Sequence, residues 1–250
     1  MSGAGDVSIT DRPTSLDDRG IVTKFMTVGL LALGIIIGAA GTWLAMSTRS
    51  ADATPPQGAE EANTPLAAQE NFLEARSKGD PDAPITVLEA SDFQCPYCRD
   101  FAKQTLPYLE TEYINTGKVR LVFLNLPLPQ LHPNATAAHE FAMCAAKQDK
   151  FWPIHDLLFE YQQQWARLSD PGPYFRQLAD SARLRRGDLE ECFTTGQVRQ
   201  LIQEEAQNNF QSGLRSTPAF VIEGGVLPGF APIELWRPIL DSIYDVKTGG

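Results

Sequence analysis

Two cysteines stand three positions apart just after a short apolar segment, and this arrangement restricts the local fold more than any other feature of the chain. The segment PITVLEA, residues 84–90, is rich in aliphatic and β-branched side chains, which predicts a buried strand. The sequence CPYC follows at residues 95–98, and the apolar positions from Cys98 to Tyr113 then recur at helical spacing. Proline fits the first position of a helix, because its missing N–H would be unpaired there. The pattern therefore predicts a strand, a short loop and a helix that begins at the cysteines.

This placement makes the two thiols chemically unequal. Cys95 would lie at the helix N-terminus, where unpaired backbone N–H groups and the helix dipole stabilise a thiolate. Cys98 would lie one turn later, on the apolar face and covered by protein. We therefore expect an exposed nucleophile at Cys95 and a shielded resolving thiol at Cys98.

A lone CxxC also occurs as half of a zinc site or as a structural bridge. Structural zinc needs four ligands, and the chain has no second CxxC or adjacent Cys/His pair. The three histidines, His132, His139 and His155, are scattered and are expected to be surface or capping residues. We therefore expect no metal and no bound cofactor.

The remaining pattern predicts an α/β fold with a helical insertion. A second strand is expected at residues 118–125, about five helices between residues 133 and 214, and two strands flanking Gly224 and Gly225. A kink is expected at Pro107. A final helix would bury Leu235, Ile239 and Ile243. The predicted order is β-α-β, a helical block, and β-β-α around a central sheet.

Residues 25–46 contain no charged side chain, and as a helix they would span about 33 Å, enough to cross a bilayer. Basic residues are more numerous before this segment than just after it, which places residues 1–24 in the cytoplasm. Residues 47–65 are predicted to be a flexible linker, and the folded domain to occupy residues 66–250 with its helical insertion at about 130–214. A cleaved signal peptide is the alternative, because Ala51-Asp52-Ala53 has the small-x-small pattern that signal peptidase accepts.

The net charge of −10 lies beyond residue 49, because positive and negative side chains are equal in number before it. An acidic surface without basic runs offers no electrostatic footprint for nucleic acid or for anionic lipid headgroups. We therefore exclude nucleic-acid binding.

The strand, the CPYC motif at a helix start, the helical block and the segment STPAF at residues 216–220 together resemble the DsbA family of thioredoxin-fold thiol:disulfide oxidoreductases, in its membrane-anchored or secreted form. The resemblance covers about residues 66–246. It implies a thioredoxin fold with an inserted all-helical subdomain, here preceded by one transmembrane helix.

The resemblance also implies roles for residues outside the motif. Pro218 matches the family's cis-proline, which with Thr217 would face the cysteines and leave nearby backbone groups available to an extended substrate. Glu89 matches a buried acid that moves protons beneath the disulfide, although an outward-facing edge residue remains the alternative. Tyr97 is the aromatic residue best placed to touch substrate.

Cys144 and Cys192 both fall in the helical block, and similar extracytoplasmic relatives carry a structural disulfide there. In an oxidising compartment two such cysteines are expected to be bonded, and two reduced core cysteines are the alternative.

The expected function is an extracytoplasmic, membrane-anchored enzyme that forms disulfides in exported proteins and is recycled by a membrane redox partner. Tyr97 and Thr217 also occur in relatives that reduce or isomerise disulfides, so a reductase or isomerase is one alternative. A peptide-binding or copper-binding module without turnover is another.

Overall fold

The computed structural model describes residues 72–249. The predicted cytoplasmic segment, transmembrane helix and linker, residues 1–24, 25–46 and 47–65, lie outside the described residues. Within residues 72–249, no helix combines the length and the apolar character that crossing a membrane requires.

Five strands form one mixed sheet: β1 Ser77–Lys78, β2 Ile85–Ser91, β3 Val119–Asn125, β4 Ala219–Ile222 and β5 Gly225–Pro228. Their order across the sheet is β1-β3-β2-β4-β5. The central strand β2 runs parallel to β3 and antiparallel to β4. β1 was not predicted, because two residues at a sheet edge are too few to show a periodic pattern.

The helices are α1 Pro96–Gln104, α2 Leu106–Leu109, α3 Ala135–Ala146, α4 Phe151–Glu160, α5 Gln162–Trp165, α6 Gly172–Ser181, α7 Arg186–Thr195, α8 Gln197–Gln211 and α9 Ile233–Thr248. A π-helical turn at Glu110–Ile114 follows α2. Helices α3 to α8 stand between β3 and β4, so the predicted order of β-α-β, helical insertion and β-β-α is confirmed.

The helix after the cysteines is interrupted rather than kinked. α1 ends at Gln104 with Thr105 as its C-cap (φ −111°, ψ −46°), and Pro107 stands in the first turn of the next helix. The Thr105 hydroxyl donates to the carbonyl of Ala231, 3.0 Å away, and so ties this break to the loop before α9. The break therefore falls two residues before the predicted proline.

Three details of the helices and the hairpin differ from the sequence prediction. The segment expected to be one helix from residue 151 divides into α4 and α5, because Tyr161 between them is not helical (φ −102°, ψ 18°). The hairpin turn consists of Glu223 and Gly224, both at positive φ, and Gly225 already belongs to β5. In α9 the prediction for Leu235 was wrong, since 54% of it is exposed and the buried face is formed by Ile233, Trp236 and Leu240.

The cysteines belong to one of two large apolar clusters, and α1 contributes side chains to both. One cluster packs α1 and α9 on the sheet and includes Phe101, Phe220 and Trp236. The other fills the helical insertion and includes Cys95 and Cys98. The site is therefore built from both parts of the fold.

Candidate active site

Cys95 caps the N-terminus of α1. Its backbone is extended (φ −69°, ψ 126°) and Pro96 occupies the first turn, as the spacing predicts. Cys95 is less exposed than expected, because only 4% of its surface is accessible to solvent. Cys98 has no accessible surface. Both are free thiols in this structure.

The environment lowers the pKa of Cys95 from 9.0 to about 6. The largest cause is a hydrogen bond from the Cys98 side chain. Burial acts in the opposite direction, while the Thr217 side chain and the backbone N–H groups of Cys98 and Tyr97 also favour the thiolate. Near neutral pH the sulfur of Cys95 is therefore largely ionised.

Cys98 has the opposite chemistry. Burial raises the pKa of its thiol well above 9.0, and so does the hydrogen bond that it donates to Cys95. The Asp92 N–H lies 3.5 Å from the Cys98 sulfur and opposes this rise. One turn of helix thus holds a thiolate and a neutral thiol side by side.

The peptide bond between Thr217 and Pro218 is cis, and it lies against Cys95. The Cys95 sulfur is 3.3 Å from the Thr217 carbonyl oxygen, which accepts a hydrogen bond when the thiol is protonated. The Pro218 carbonyl accepts a hydrogen bond from the N–H of Gly229 at 2.7 Å. The Thr217 hydroxyl is buried without another partner in residues 72–249, so it is available to the thiolate.

Glu89 lies on the central strand β2 and is completely buried, so the edge-residue alternative is wrong. Neither of its carboxyl oxygens has a hydrogen-bond partner of good geometry within the described chain. Burial raises the pKa of Glu89 to about 7, with Ser91 and Lys78 acting against the rise. A carboxyl group with this pKa can both give and take a proton near neutral pH.

Ser91 influences the acidity of both this acid and Cys98. It lies two residues after Glu89 on the same face of β2, and its side chain lowers the pKa of both Glu89 and Cys98. Sequence reasoning missed Ser91, although the period of two along the strand places it beside Glu89.

Gln162 fixes the loop before the cysteines from the helical insertion. Its side-chain amide donates to the carbonyl oxygens of Phe93 (2.8 Å) and Cys95 (2.9 Å). A single glutamine in a helical pattern gives no sequence signal for this contact, which joins residues 67 or more positions apart.

The aromatic residues near the motif differ in exposure. Phe93 and Phe101 are fully buried, and Phe93 stacks on Phe123 with ring centroids 5.0 Å apart. Tyr97 is 61% exposed beside Cys95. Of the three, Tyr97 alone is open to an incoming chain.

The other cysteine pair is bonded. Cys144 on α3 and Cys192 on α7 form a disulfide with a Cα–Cα distance of 5.8 Å. Both are buried in the cluster that fills the helical insertion. The bridge joins two helices of the insertion and takes no part in the geometry at Cys95.

The expectation that the histidines lie at the surface was wrong for two of them. His139 and His155 are fully buried and pack their rings on Phe93, with centroids 4.8 and 5.8 Å away. Burial lowers the pKa of His139 to about 4 and also lowers that of His155. Helical periodicity did not separate a buried neutral histidine from a surface one.

In residues 72–249 no three His, Cys, Asp or Glu side chains are grouped so that they could hold a metal ion.

Comparison with known proteins gives one family and several relatives. A sequence profile described as Thioredoxin matches residues 73–242. The Na(+)/H(+) antiporter NhaA 1 of Salinispora arenicola is 34% identical over 226 residues, which are 85% of this chain and 32% of that protein. Disulfide bond formation protein D of Bacillus subtilis is 24% identical over 70% of this chain and 79% of its own length. The chain therefore spans only about a third of the first antiporter relatives.

Solved structures share the fold. The crystal structure of Wolbachia pipientis alpha-DsbA1 aligns with a TM-score of 0.63 at 21% identity, over 69% of this chain and 92% of its own. Oxidised BdbD from Bacillus subtilis aligns with a TM-score of 0.61 at 23% identity, over 69% and 95%.

Proposed function

The chain belongs to the thioredoxin family, and from that premise we propose that it is a thiol:disulfide oxidoreductase that forms disulfides in exported proteins. The observation that carries the proposal is the unequal pair at the N-terminus of α1, where the pKa of Cys95 is lowered to about 6 and that of Cys98 is raised. Such a pair combines a good leaving group with a thiol that stays protonated.

The exchange begins when a client thiolate attacks the sulfur of Cys95 in the Cys95–Cys98 disulfide. The Cys95–Cys98 bond breaks, a Cys95–client bond forms, and Cys98 leaves as a thiolate in a buried position. Glu89 supplies the proton that Cys98 needs, because its pKa of about 7 keeps a substantial fraction of it protonated near neutral pH, and Ser91 acts on the pKa of both groups.

The second client thiol then attacks the client sulfur of the mixed disulfide. A client disulfide forms, Cys95 leaves as a thiolate, and two electrons have passed from the client to the cysteine pair. The Cys98 hydrogen bond, the Thr217 side chain and the backbone N–H groups at the start of α1 stabilise that leaving thiolate.

The same groups support the oxidising direction. Whatever stabilises the Cys95 thiolate favours the reduced protein, and this makes its disulfide a stronger oxidant. A reduction potential above about −180 mV is expected for disulfide donation. A potential near about −270 mV would instead favour a reductase.

We propose that extended client segments bind beside Tyr97 and Thr217, because Tyr97 is exposed next to Cys95 while Thr217 contacts its sulfur.

The proposed location is the outer side of a membrane. Residues 1–24 would be cytoplasmic, residues 25–46 would form a single transmembrane anchor, and residues 47–65 would link it to the catalytic domain at 66–250. The uncharged run at 25–46 supports this arrangement. A quinone-linked oxidase in the membrane is the proposed partner that takes the two electrons and restores the Cys95–Cys98 disulfide.

The test uses the two single cysteine variants. Cys98→Ala should accumulate mixed disulfides with client proteins, because nothing resolves the bond to Cys95, whereas Cys95→Ala should form none. The readout is the set of reducible adducts on non-reducing gels.

Oxidative refolding of a reduced client protein supplies the turnover measurement, with the double Cys95→Ala/Cys98→Ala variant as the control. Equal trapping by both single variants would overturn the assignment of nucleophile and resolving thiol. A wild-type protein that binds clients without turnover would instead favour a peptide-binding or copper-binding module.

A further inference from the structure

The loop between β3 and α3 encloses a buried carboxylate next to the cysteine pair. Asp92 follows β2 and is completely buried. Its Oδ1 accepts the N–H of Gln94 at 2.7 Å, and its Oδ2 accepts the N–H of Leu128 at 2.8 Å. The Nδ1 of His132 lies 2.9 Å from the same Oδ2. Three donors therefore converge on one carboxyl group.

This arrangement favours one tautomer of His132. Two backbone N–H groups already donate to Asp92, and a proton on Nδ1 of His132 supplies a third donor to the same carboxyl group. A buried anion is costly without a nearby positive charge, and His132 provides one when its second ring nitrogen is protonated. The hydrogen bond to Asp92 is the largest cause of the raised pKa of His132.

The backbone of Asp92 also belongs to the cysteine site. Its carbonyl oxygen accepts the N–H of Cys95 at 3.0 Å, and its N–H points to the Cys98 sulfur at 3.5 Å. Asp92 therefore contacts His132 through its side chain and both cysteines through its backbone.

His132 and Cys95 act on each other electrostatically. Negative charge on Cys95 adds to the rise in the pKa of His132. Electrostatic coupling is reciprocal, so an imidazolium at His132 favours the Cys95 thiolate, as a contribution smaller than those of the Cys98 and Thr217 side chains. The titratable groups that act on this imidazole are Asp92, from the loop after β2, and Cys95, from the start of α1.

The other two histidines do not share this role. His155 has an aspartate neighbour at similar distance, with Nδ1 2.8 Å from Asp156, but burial keeps its pKa low. His139 pairs with the neutral amide of Asn125 and is also kept neutral by burial. His132 is partly exposed, since its side chain is 18% accessible, and it can therefore take up a proton from solvent.

We propose that His132, held by Asp92, is a charged positioning residue that stabilises the Cys95 thiolate and makes the Cys95–Cys98 disulfide a stronger oxidant. The inference rests on the proposed exchange at Cys95 and adds a group that the CPYC motif does not contain. In each cycle the imidazolium opposes the negative charge that remains on Cys95 after the client disulfide forms. Cys98 keeps the proton that Glu89 gave it; of the two protons that the client thiols release, one restores Glu89 and the other leaves to solvent.

The first test needs no substitution. The chain contains three histidines, so NMR titration of their ring protons in the oxidised and reduced protein gives one signal under test and two internal controls. His132 should titrate at a higher pH in the reduced protein, where Cys95 carries a charge, while His139 and His155 should not move. Identical His132 curves in the two forms would overturn the proposal.

The second test removes the charge and keeps the hydrogen bond. In His132→Asn the amide can still donate to Asp92, so the loop stays in place. The pKa of Cys95, followed by thiolate absorbance, should rise, and the equilibrium constant for oxidising glutathione should fall about tenfold, which is a shift of about 30 mV. His132→Lys should recover part of the loss.

The effect has a defined pH range. It should be largest between the pKa of Cys95, about 6, and the measured pKa of His132. Below that range the thiolate is protonated, and above it the imidazole is neutral. Lys147→Asn, which removes an exposed positive charge at the opposite end of α3, should leave both quantities unchanged.

The outcomes distinguish a failure of this inference from a failure of the proposed function. If wild-type protein exchanges disulfides and His132→Asn has the parent's Cys95 pKa and glutathione equilibrium, the inference fails and the function stands. If the wild-type protein exchanges none, the proposed function fails first.

Discussion

At the scale of single residues, the cysteine pair illustrates how position creates different chemistry from the same side chain. Cys95 and Cys98 are one helical turn apart, but Cys95 receives the helix N–H groups and the Cys98 hydrogen bond, whereas Cys98 has lost all contact with solvent. The lower pKa of one and the higher pKa of the other therefore have a common origin in the start of α1.

The proposed proton transfer by Glu89 depends on a buried carboxyl group, and that burial should lower the stability of the protein at high pH. The pKa of Glu89 is about 7 in the folded protein and 4.5 ordinarily. The folded state thus holds the proton more tightly, and the stability that this brings is complete below pH 4.5 and is lost as the pH rises through 7. The ionised carboxylate at pH 8 is buried without a partner, at a cost on the order of 3 kcal/mol.

Glu89→Gln should therefore become more stable relative to the parent as the pH rises. Between pH 4.5 and pH 8 the difference in free energy of unfolding should change by on the order of 3 kcal/mol in favour of the variant. Urea denaturation of the reduced proteins across this range measures it. Glu190→Gln, at an exposed position on α7, is the control and should show no such trend. Parallel pH profiles for Glu89→Gln and parent would contradict the buried-acid assignment.

At the scale of helices and strands, the insertion depends on a covalent tie between two of its helices. The disulfide between Cys144 on α3 and Cys192 on α7 closes a loop with a sequence separation of 48. In the chain-entropy model such a loop stabilises the folded state by about 4 kcal/mol.

Replacing both Cys144 and Cys192 with alanine should lower the melting temperature, because the unfolded chain regains the freedom that the bridge removes. Exchange at Cys95 should continue at temperatures below melting. Calorimetry and the rate of glutathione exchange provide the two readouts. The stability control is Cys95→Ala/Cys98→Ala. This variant also loses two cysteines, but those two do not close a long loop. A count of four free thiols in denatured, unreduced protein would refute the bridge.

At the scale of the whole molecule, a buried charge network joins segments that are far apart in the chain. Glu205 on α8 pairs with Arg76 at 2.9 Å, and it also accepts the N–H of Asn125 (3.0 Å) and its side-chain amide (2.7 Å). The Asn125 oxygen in turn lies 2.7 Å from Nδ1 of His139 on α3. The network therefore connects residues before β1, the end of β3 and two helices of the insertion.

Glu205→Ala should destabilise the protein by about 3 to 5 kcal/mol, because it leaves the Arg76 guanidinium buried without its counter-charge. The adjacent Glu204 provides a matched control, since its side chain is exposed and bonds only to Gln200 among the described residues. Glu204→Ala should cost less than about 1 kcal/mol. Chemical denaturation compares the two, and equal losses would show that the network contributes no more than a surface contact. Glu205→Gln, which keeps the shape but not the charge, should fall between them.

The sequence by itself determined the features that depend on neighbouring residues. The strand at β2 follows from a short run of aliphatic and β-branched residues, the helix start at CPYC from proline in the first turn, and the β-hairpin near the C-terminus from glycine in the turn. All of these act over a few positions. The same local logic, extended by family resemblance, placed Glu89 and Pro218 near the cysteines.

Only the tertiary structure decided which side chains from distant segments meet. Gln162 reaches Cys95 from the insertion, and His132 reaches Asp92 from the loop after β3. Leu235 stays exposed although it has the spacing of a buried residue. Periodicity reports which residues share one face of one element, whereas burial and pairing depend on which other element covers that face. The sequence therefore determined the two thiols and their helix, and packing decided which groups set their acidity.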